Sequence, residues 1–140
     1  MKQHLLTEDI IKVFYRVYNT LGYGFLEKVY ENSMMIEFKK ESLPAVQQSP
    51  IDVTYEDEIV GQYFADMIVD GKVIIEIKAK KSLMPEDTAQ LLNYLKATGI
   101  KVGLLVNFQN EKAEIKRMVL NLHEDDYSFP SVKSTGGKSQ

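Results

Sequence analysis

Two apolar segments joined by an Asp-Gly dipeptide constrain the fold of this chain more than any other feature of its sequence. Residues 59–68 and 73–79 are strongly apolar, and Asp70-Gly71 between them supplies the positive φ angles that a tight hairpin needs. In the preceding segment, 46–55, apolar and polar residues alternate before an acidic turn. The pattern predicts three strands in an antiparallel meander.

Charged residues interrupt the two apolar strands at Asp66, Glu76 and Lys78. A charge in a partly buried sheet is costly unless it is paired or coordinated, so these side chains need a structural or chemical reason. An ion pair between Glu76 and Lys78 is the structural alternative. If the carboxylates of Asp66 and Glu76 converge, they can instead bind Mg²⁺ or Mn²⁺ beside the Lys78 ammonium.

The hairpin register decides whether the two carboxylates meet. With a strict two-residue loop, Asp66 opposes Ile75 and faces away from Glu76, because a shift of one residue inverts the face of a strand. With a three-residue loop, for example 69–71, Asp66 and Glu76 share one face with Lys78. We therefore predict an odd loop or a bulge.

Helical periodicity precedes the strands. Thr7 is the expected N-cap of a first helix that ends at Gly22 and Gly24, and a second helix is expected over 25–40, before Pro44. The residues expected on the buried stripes are Ile10, Phe14, Val17 and Leu21 in the first helix, and Leu26, Val29, Tyr30, Met34 and Phe38 in the second.

A third helix and a further strand follow the meander. Pro85 is typical of a helix start and Gly99 of a helix stop. The run 102–106 is apolar on both faces, which favours a central strand reached by a crossover from that helix. Residues 115–120 are ambiguous, and we assign them to a strand.

The composition predicts one domain and restricts the chemistry. The chain has 140 residues, 44% of them hydrophobic, and we expect a single domain over 1–125 and a disordered polar tail over 126–140. The chain has no cysteine, so a metal would need oxygen or imidazole ligands. The two histidines, His4 and His123, lie at the edges of the fold, which argues against a histidine-based triad or zinc site.

The formal net charge of -3 argues against a protein that coats nucleic acid through bulk electrostatics. No apolar run approaches a membrane span and no secretory signal is evident, so no membrane partner and a cytoplasmic location are expected. The apolar helix faces leave the oligomeric state open, with a homodimer as one alternative.

The motifs together resemble a known enzyme family. Glu76-Ile77-Lys78 with Asp66 ten residues earlier is similar to the site of the PD-(D/E)XK nuclease superfamily. The segment 24–30, GFLEKVY, reproduces the GxxExxY pattern of one small prokaryotic family within it, and 90–94, QLLNY, reproduces a QxxxY pattern found in some of its nucleases. The resemblance covers about 7–120. It implies an α/β, restriction-endonuclease-like fold with an αβββαβ core, here with an extra N-terminal helix.

The resemblance also implies roles for individual residues. By it, Asp66, Glu76 and Glu27 would bind the metal and Lys78 would be the catalytic lysine. The full set of catalytic or supporting residues that it implies is Lys78, Asp66, Glu76, Gln90 and Tyr94. The implied cofactor is Mg²⁺ or Mn²⁺.

Two functions follow as hypotheses. The first is a metal-dependent nuclease that hydrolyses phosphodiester bonds in DNA by attack of a metal-activated water, with RNA as a further substrate to test. The second is a catalytically inactive nuclease-fold module that binds nucleic acid or a protein, favoured by the acidic net charge and by Phe64-Ala65 where relatives carry a basic residue. Lysines expected to replace that charge are Lys72, Lys80, Lys81, Lys96 and Lys101.

Overall fold

A computed structural model describes residues 2–109 and 111–120. His123 and the predicted tail at 126–140 lie outside the described residues, as does the side chain of His4. The elements of the described part are, in chain order, α1 (Lys2–Leu21), α2 (Glu27–Lys40), β1 (Ala45–Tyr55), β2 (Glu58–Val69), β3 (Val73–Lys78), α3 (Pro85–Thr98), β4 (Val102–Asn107) and β5 (Glu114–Val119).

The strands form one mixed sheet in the order β1-β2-β3-β4-β5. The first three strands are the predicted antiparallel meander, β4 runs parallel to β3 after the α3 crossover, and β5 returns antiparallel to β4. All six residues of β4 are buried, which includes the whole of the predicted apolar run 102–106. The assignment of the ambiguous segment near 115–120 to a strand is confirmed.

Helices cover both faces of the sheet. On one face, α1 and α2 pack against Met67, Ile75 and Ile77. On the other face, Leu91 and Leu95 of α3 pack against inward residues of β3 and β4. The result is a three-layer α/β arrangement of the restriction-endonuclease-like kind, with the sheet carrying the charged residues between its two helical layers.

The third helix matches its prediction, whereas the first two differ in detail. Gly99 ends α3 in the left-handed conformation, with φ 77°. The N-cap prediction for Thr7 is wrong, because α1 begins at Lys2 and Thr7 is buried within it. No glycine or proline stops a helix before Thr7, and Leu6 extends the buried stripe of Ile10 by one turn.

The buried stripe of α2 also differs from the prediction. Leu26 precedes the helix and is 81% exposed, and Val29 is exposed as well. Tyr30, Met34 and Phe38 are buried as expected, but Glu31 joins them on the same stripe. None of the helices in the described part of the chain combines the length and apolar character that a bilayer span requires.

The hairpin between β2 and β3 has an odd loop, which confirms the register argument. Val69 pairs with Val73, so the loop is the three residues Asp70, Gly71 and Lys72. Asp70 and Gly71 take positive φ angles of 54° and 64°. The particular loop offered as an example, 69–71, is wrong by one position, because Val69 still pairs across the hairpin.

Candidate active site

Asp66 and Glu76 meet where the pairing of β2 with β3 ends. Regular pairing runs from Val69–Val73 to Met67–Ile75, and the next opposed residues in this register are Asp66 and Glu76. Here side chains replace the ladder: the Asp66 backbone N–H donates to Glu76 Oε2 at 2.9 Å, and the Ile77 N–H donates to Asp66 Oδ2 at 2.7 Å. Each carboxylate is therefore fixed by the backbone of the opposite strand.

The alternation of β2 also breaks at Asp66. Ala65 packs on the α3 side of the sheet, whereas Met67 packs on the side of α1 and α2. Because residues two apart in a regular strand face the same side, the strand must turn between these positions. Asp66 lies at that turn and is thereby accessible from the α2 side while remaining bonded to β3.

Burial and mutual repulsion make this pair of carboxylates favour the protonated form. Burial, and then the charge of Asp66, raise the pKa of Glu76 from 4.5 to about 8. Burial, together with the charge of Glu31, raises the pKa of Asp66. Two acids that resist ionisation side by side become compatible with ionisation when a cation lies between them.

Lys78 ends β3 and has a different partner from the one first considered. Its ammonium lies 3.8 Å from Asp87 Oδ1 on α3, and its charge lowers the pKa of both Glu76 and Asp66. Asp87 also binds the Lys80 ammonium at 2.8 Å. Burial raises the pKa of Asp87, but the hydrogen bonds from Lys80 and from the Met84 N–H outweigh it, so the net shift is downward. Asp87 thus pairs with two lysines, and one of them, Lys78, acts on the acidic pair through its charge.

An open cleft leads to Asp66 from the α2 side. The cleft has a volume of about 570 Å³, and its wall includes the start of α2. The lining residues are Phe25, Leu26, Glu27, Lys28, Glu31, Gln48, Asp66 and Ala79. Such a cleft could admit a phosphodiester to the Asp66 carboxylate from solvent.

Two glutamates of α2 line the cleft, and they differ in burial. Glu27, the acid of the GxxExxY segment, is exposed. Glu31, one turn later, is only 3% exposed and accepts hydrogen bonds from Lys28, Gln47 and Gln48. Both glutamates line the cleft, and the charge of Glu31 contributes to the raised pKa of both Asp66 and Glu76.

The two α3 residues of the QxxxY segment also occupy different environments. Gln90 is exposed, whereas Tyr94 is 6% exposed and packs against the Tyr63 ring at 5.8 Å. Burial, and then the charges of Glu76 and Asp66, raise the pKa of Tyr94 to about 12. Tyr94 therefore remains a protonated hydrogen-bond donor near the acids at any physiological pH.

Tyr30 and Asn107 shape the site without entering the acidic pair. The Tyr30 hydroxyl donates to the Gly22 carbonyl and accepts from the Phe25 N–H, which orders the loop that forms one wall of the cleft. Asn107, fully buried at the end of β4, bonds both the N–H and the carbonyl of Lys80. These contacts fix the loop before α2 and the segment after β3.

The donor set suits a hard divalent cation with few protein ligands. Across the described residues, no three histidine or acidic side chains form a complete metal cage. The two carboxylates of Asp66 and Glu76 match Mg²⁺, which typically binds one or two carboxylates, waters and substrate phosphate oxygens. Their oxygen chemistry also fits Mn²⁺.

The sequence argument missed Glu31, Asp87 and Gln48. Glu31 had a readable signal, because it interrupts the buried stripe of α2 next to Tyr30 and three residues before Met34. Asp87 lies in the first turn of a helix, where acids are common for reasons unrelated to function, so its link to Lys78 carried no distinct signal. The sequence around Gln48 carried no signal of its role.

The fold and this cluster define a protein of the nuclease-fold class. The family model described as the PD-(D/E)XK nuclease superfamily matches residues 4–118, so the chain belongs to that superfamily. No curated protein sequence matches the chain.

Among solved structures, that of SSO0001 is similar, with a TM-score of 0.53 and 19% identity over 71% of this chain and 53% of that one. An alkaline exonuclease, LHK-Exo from Laribacter hongkongensis, is more distantly similar, with a TM-score of 0.47 and 16% identity over 62% of this chain and 52% of that one. The chain thus spans about half the length of each of these two structures.

Proposed function

We propose that the protein is a metal-dependent nuclease that hydrolyses phosphodiester bonds in DNA, with Mg²⁺ or Mn²⁺ held by Asp66 and Glu76. The observation that carries this proposal is the opposition of these two acids at the end of the β2–β3 pairing, with each carboxylate bound by the other strand's backbone. We further propose that the chain belongs to the GxxExxY family of the superfamily, on the strength of the segment at 24–30.

Each residue of the cluster has a chemical task in this proposal. When bound, the cation lowers the pKa of a water and polarises the phosphoryl group. Lys78 supplies positive charge to the scissile phosphate or orients the attacking water. Asp87 holds the Lys78 ammonium in place, and Tyr94 offers a hydroxyl donor. Glu27 and Glu31 are the helix acids that could complete the ligand set, and Gln90 remains a supporting residue by its motif.

The alternative proposal is a catalytically inactive module. Measurements of nuclease activity and of metal binding distinguish it from the nuclease. A panel of single- and double-stranded DNA and RNA with Mg²⁺ or Mn²⁺ would be incubated with wild type, Glu76→Ala and Lys78→Ala. We expect each variant to lose at least ~10²–10³-fold in rate. Lys39→Ala is the matched control, because this exposed lysine lies in the last turn of α2, at the opposite end of the helix from the cleft, and it should retain activity.

Equal cleavage by all four proteins would indicate contamination and contradict the proposal. Calorimetry provides the second readout. If wild type binds neither Mg²⁺ nor Mn²⁺, or binds them equally well after Asp66→Asn and Glu76→Gln, the enzyme proposal fails and the binding module takes its place. Comparing Glu27→Gln with Glu31→Gln in the same titration identifies which helix acid contributes to binding.

A further inference from the structure

Gln48 has a strained backbone in the middle of a strand. Its φ is 51°, a left-handed value that non-glycine residues rarely adopt and that strains the backbone. Within 2–109 and 111–120, the other non-glycine residues with positive φ lie in turns: Ser42, Glu56, Asp57 and Asp70. Gln48 instead lies within β1, between the paired positions Gln47–Met67 and Ser49–Ala65.

The strained backbone brings two consecutive side chains to one helix residue. Neighbouring side chains of a regular strand point to opposite faces. Here the Gln47 amide donates to Glu31 Oε2 at 2.7 Å and the Gln48 amide donates to Glu31 Oε1 at 3.2 Å. The left-handed turn therefore directs Gln48 to the α2 side, where regular β geometry would send it away.

The same Gln48 amide also reaches the strand acid. Its Nε2 lies 3.4 Å from Asp66 Oδ1, whose other oxygen, Oδ2, is bound by the Ile77 N–H. One carboxamide thus joins a buried acid of α2 to an acid of β2. Two carboxylates brought together repel each other, and the two N–H groups of one amide offset that repulsion.

We propose that Gln48 is a positioning residue that sets the separation of Glu31 and Asp66 for divalent-cation binding. The cation part of this inference rests on the proposed function. Outer-shell groups that orient ligating carboxylates commonly change metal affinity 10–100-fold when removed. A strained residue persists where its surroundings maintain it, and the two carboxylate contacts supply that reason here.

The decisive variant is Gln48→Gly, because glycine adopts the left-handed conformation without strain. If Gln48 served only the backbone, this variant would keep the wild-type Mn²⁺ affinity, and that result would overturn the proposal. We expect the folded protein to persist, as judged by its thermal midpoint, while Mn²⁺ affinity measured by electron paramagnetic resonance falls ~10–100-fold. Gln48→Leu, which keeps side-chain bulk without the amide, should lose affinity likewise.

Asp57→Gly is the matched control. It relieves a left-handed residue of φ 66° in the distant β1–β2 turn, so it should leave Mn²⁺ affinity unchanged. A loss of affinity in this control equal to that of Gln48→Gly would also overturn the proposal, because strain relief alone would then explain both variants.

A metal-free measurement keeps this inference distinguishable from failure of the proposed function. In EDTA, the urea unfolding midpoints of Gln48→Gly, Glu31→Gln and the double variant form a double-mutant cycle. We expect the midpoint shift of the double variant to differ from the sum of the two single-variant shifts, because both changes act on one contact. If wild type binds no Mn²⁺, the enzyme proposal fails while a non-additive cycle still supports the positioning role. Additive shifts overturn it.

Discussion

Glu76 is buried beside a second carboxylate, and this couples the stability of the metal-free protein to pH. Its pKa is raised from 4.5 to about 8, first by burial and then by Asp66. Between these two values the folded state binds more protons than the unfolded state, so stability falls as pH rises. The stability that protonated Glu76 contributes is fully present below about pH 4.5 and is lost by about pH 8. Each pKa unit between the folded and unfolded states corresponds to about 1.4 kcal/mol of unfolding free energy.

The prediction at this residue is that Glu76→Gln flattens the pH dependence of stability in EDTA. Glutamine resembles the protonated side chain, so it should stabilise the metal-free protein most at pH 8 and least at pH 5. Urea unfolding across this range measures the slope. Asp66, whose pKa is also raised, should leave a residual slope. Glu58→Gln, a change at the exposed first residue of β2, should behave as wild type. If the stability of Glu76→Gln depended on pH as steeply as that of wild type, Glu76 would not be the group responsible for the pH dependence.

Individual residues differ in how far the sequence predicts them. Asp66 and Glu76 were identifiable because a charge in an apolar strand needs a partner, and the period of two made their meeting a question of loop length. Glu31 could have been found by applying the same argument to the α2 stripe. The left-handed φ of Gln48 could not, because it depends on carboxylates that approach only when α2 packs on the sheet.

At the scale of elements, the approach of α3 to the sheet depends on Gly103. A Cβ added at this β4 position would lie 2.8 Å from Leu91 Cδ1 and 3.0 Å from Leu91 Cγ. Leu91 is fully buried, so it has little freedom to move aside. Because α3 carries Asp87 and Tyr94, any shift of this helix also displaces the partner of Lys78 and the Tyr94 hydroxyl.

We therefore expect Gly103→Ala to destabilise the protein by about 1–3 kcal/mol through overpacking. Chemical denaturation measures this loss. Gly61→Ala is the matched strand control, because its added Cβ would meet only Tyr63 Cε2, at an ordinary 3.7 Å. Shortening the opposing side chain with Leu91→Val should restore part of the stability in the Gly103→Ala background. If Gly103→Ala is as stable as Gly61→Ala, the close packing of α3 is refuted.

Local sequence signals predicted the position of α3 and of the β2–β3 hairpin well. They predicted less well where α1 begins and which residues of α2 are buried. Pro85 and Gly99 set the ends of α3 through their backbone conformations, and Asp70-Gly71 sets the β2–β3 hairpin in the same way. The start of α1 and the buried face of α2 depend instead on which side chains the sheet accepts. The exposure of Leu26 and the burial of Glu31 reverse their intrinsic preferences, and tertiary packing alone explains that reversal.

At the scale of the whole molecule, positive charge near the site is largely compensated. The chain has a formal net charge of -3. Lys28 pairs with Glu31 at 3.1 Å, while Lys78 and Lys80 both pair with Asp87. Paired lysines release few counterions when a phosphate backbone binds, so substrate recognition in the proposed nuclease should depend little on bulk electrostatics.

This charge balance predicts a shallow salt dependence for nucleic-acid binding. The binding constant of the Glu76→Gln variant for a fluorescent DNA oligonucleotide would be measured in EDTA by anisotropy between ~50 and ~200 mM KCl. The slope of its logarithm against the logarithm of salt concentration should be smaller in magnitude than about 3. Strongly electrostatic binders make roughly 6–10 phosphate contacts, and each contact adds about 0.9 to the slope. Asp87→Asn in the same background removes the acid that holds two lysines while keeping an acceptor for the Met84 N–H. It should bind more tightly and steepen the slope. A slope of about 5 or more in magnitude before this change would contradict the charge-balance argument and would indicate a basic groove elsewhere on the surface.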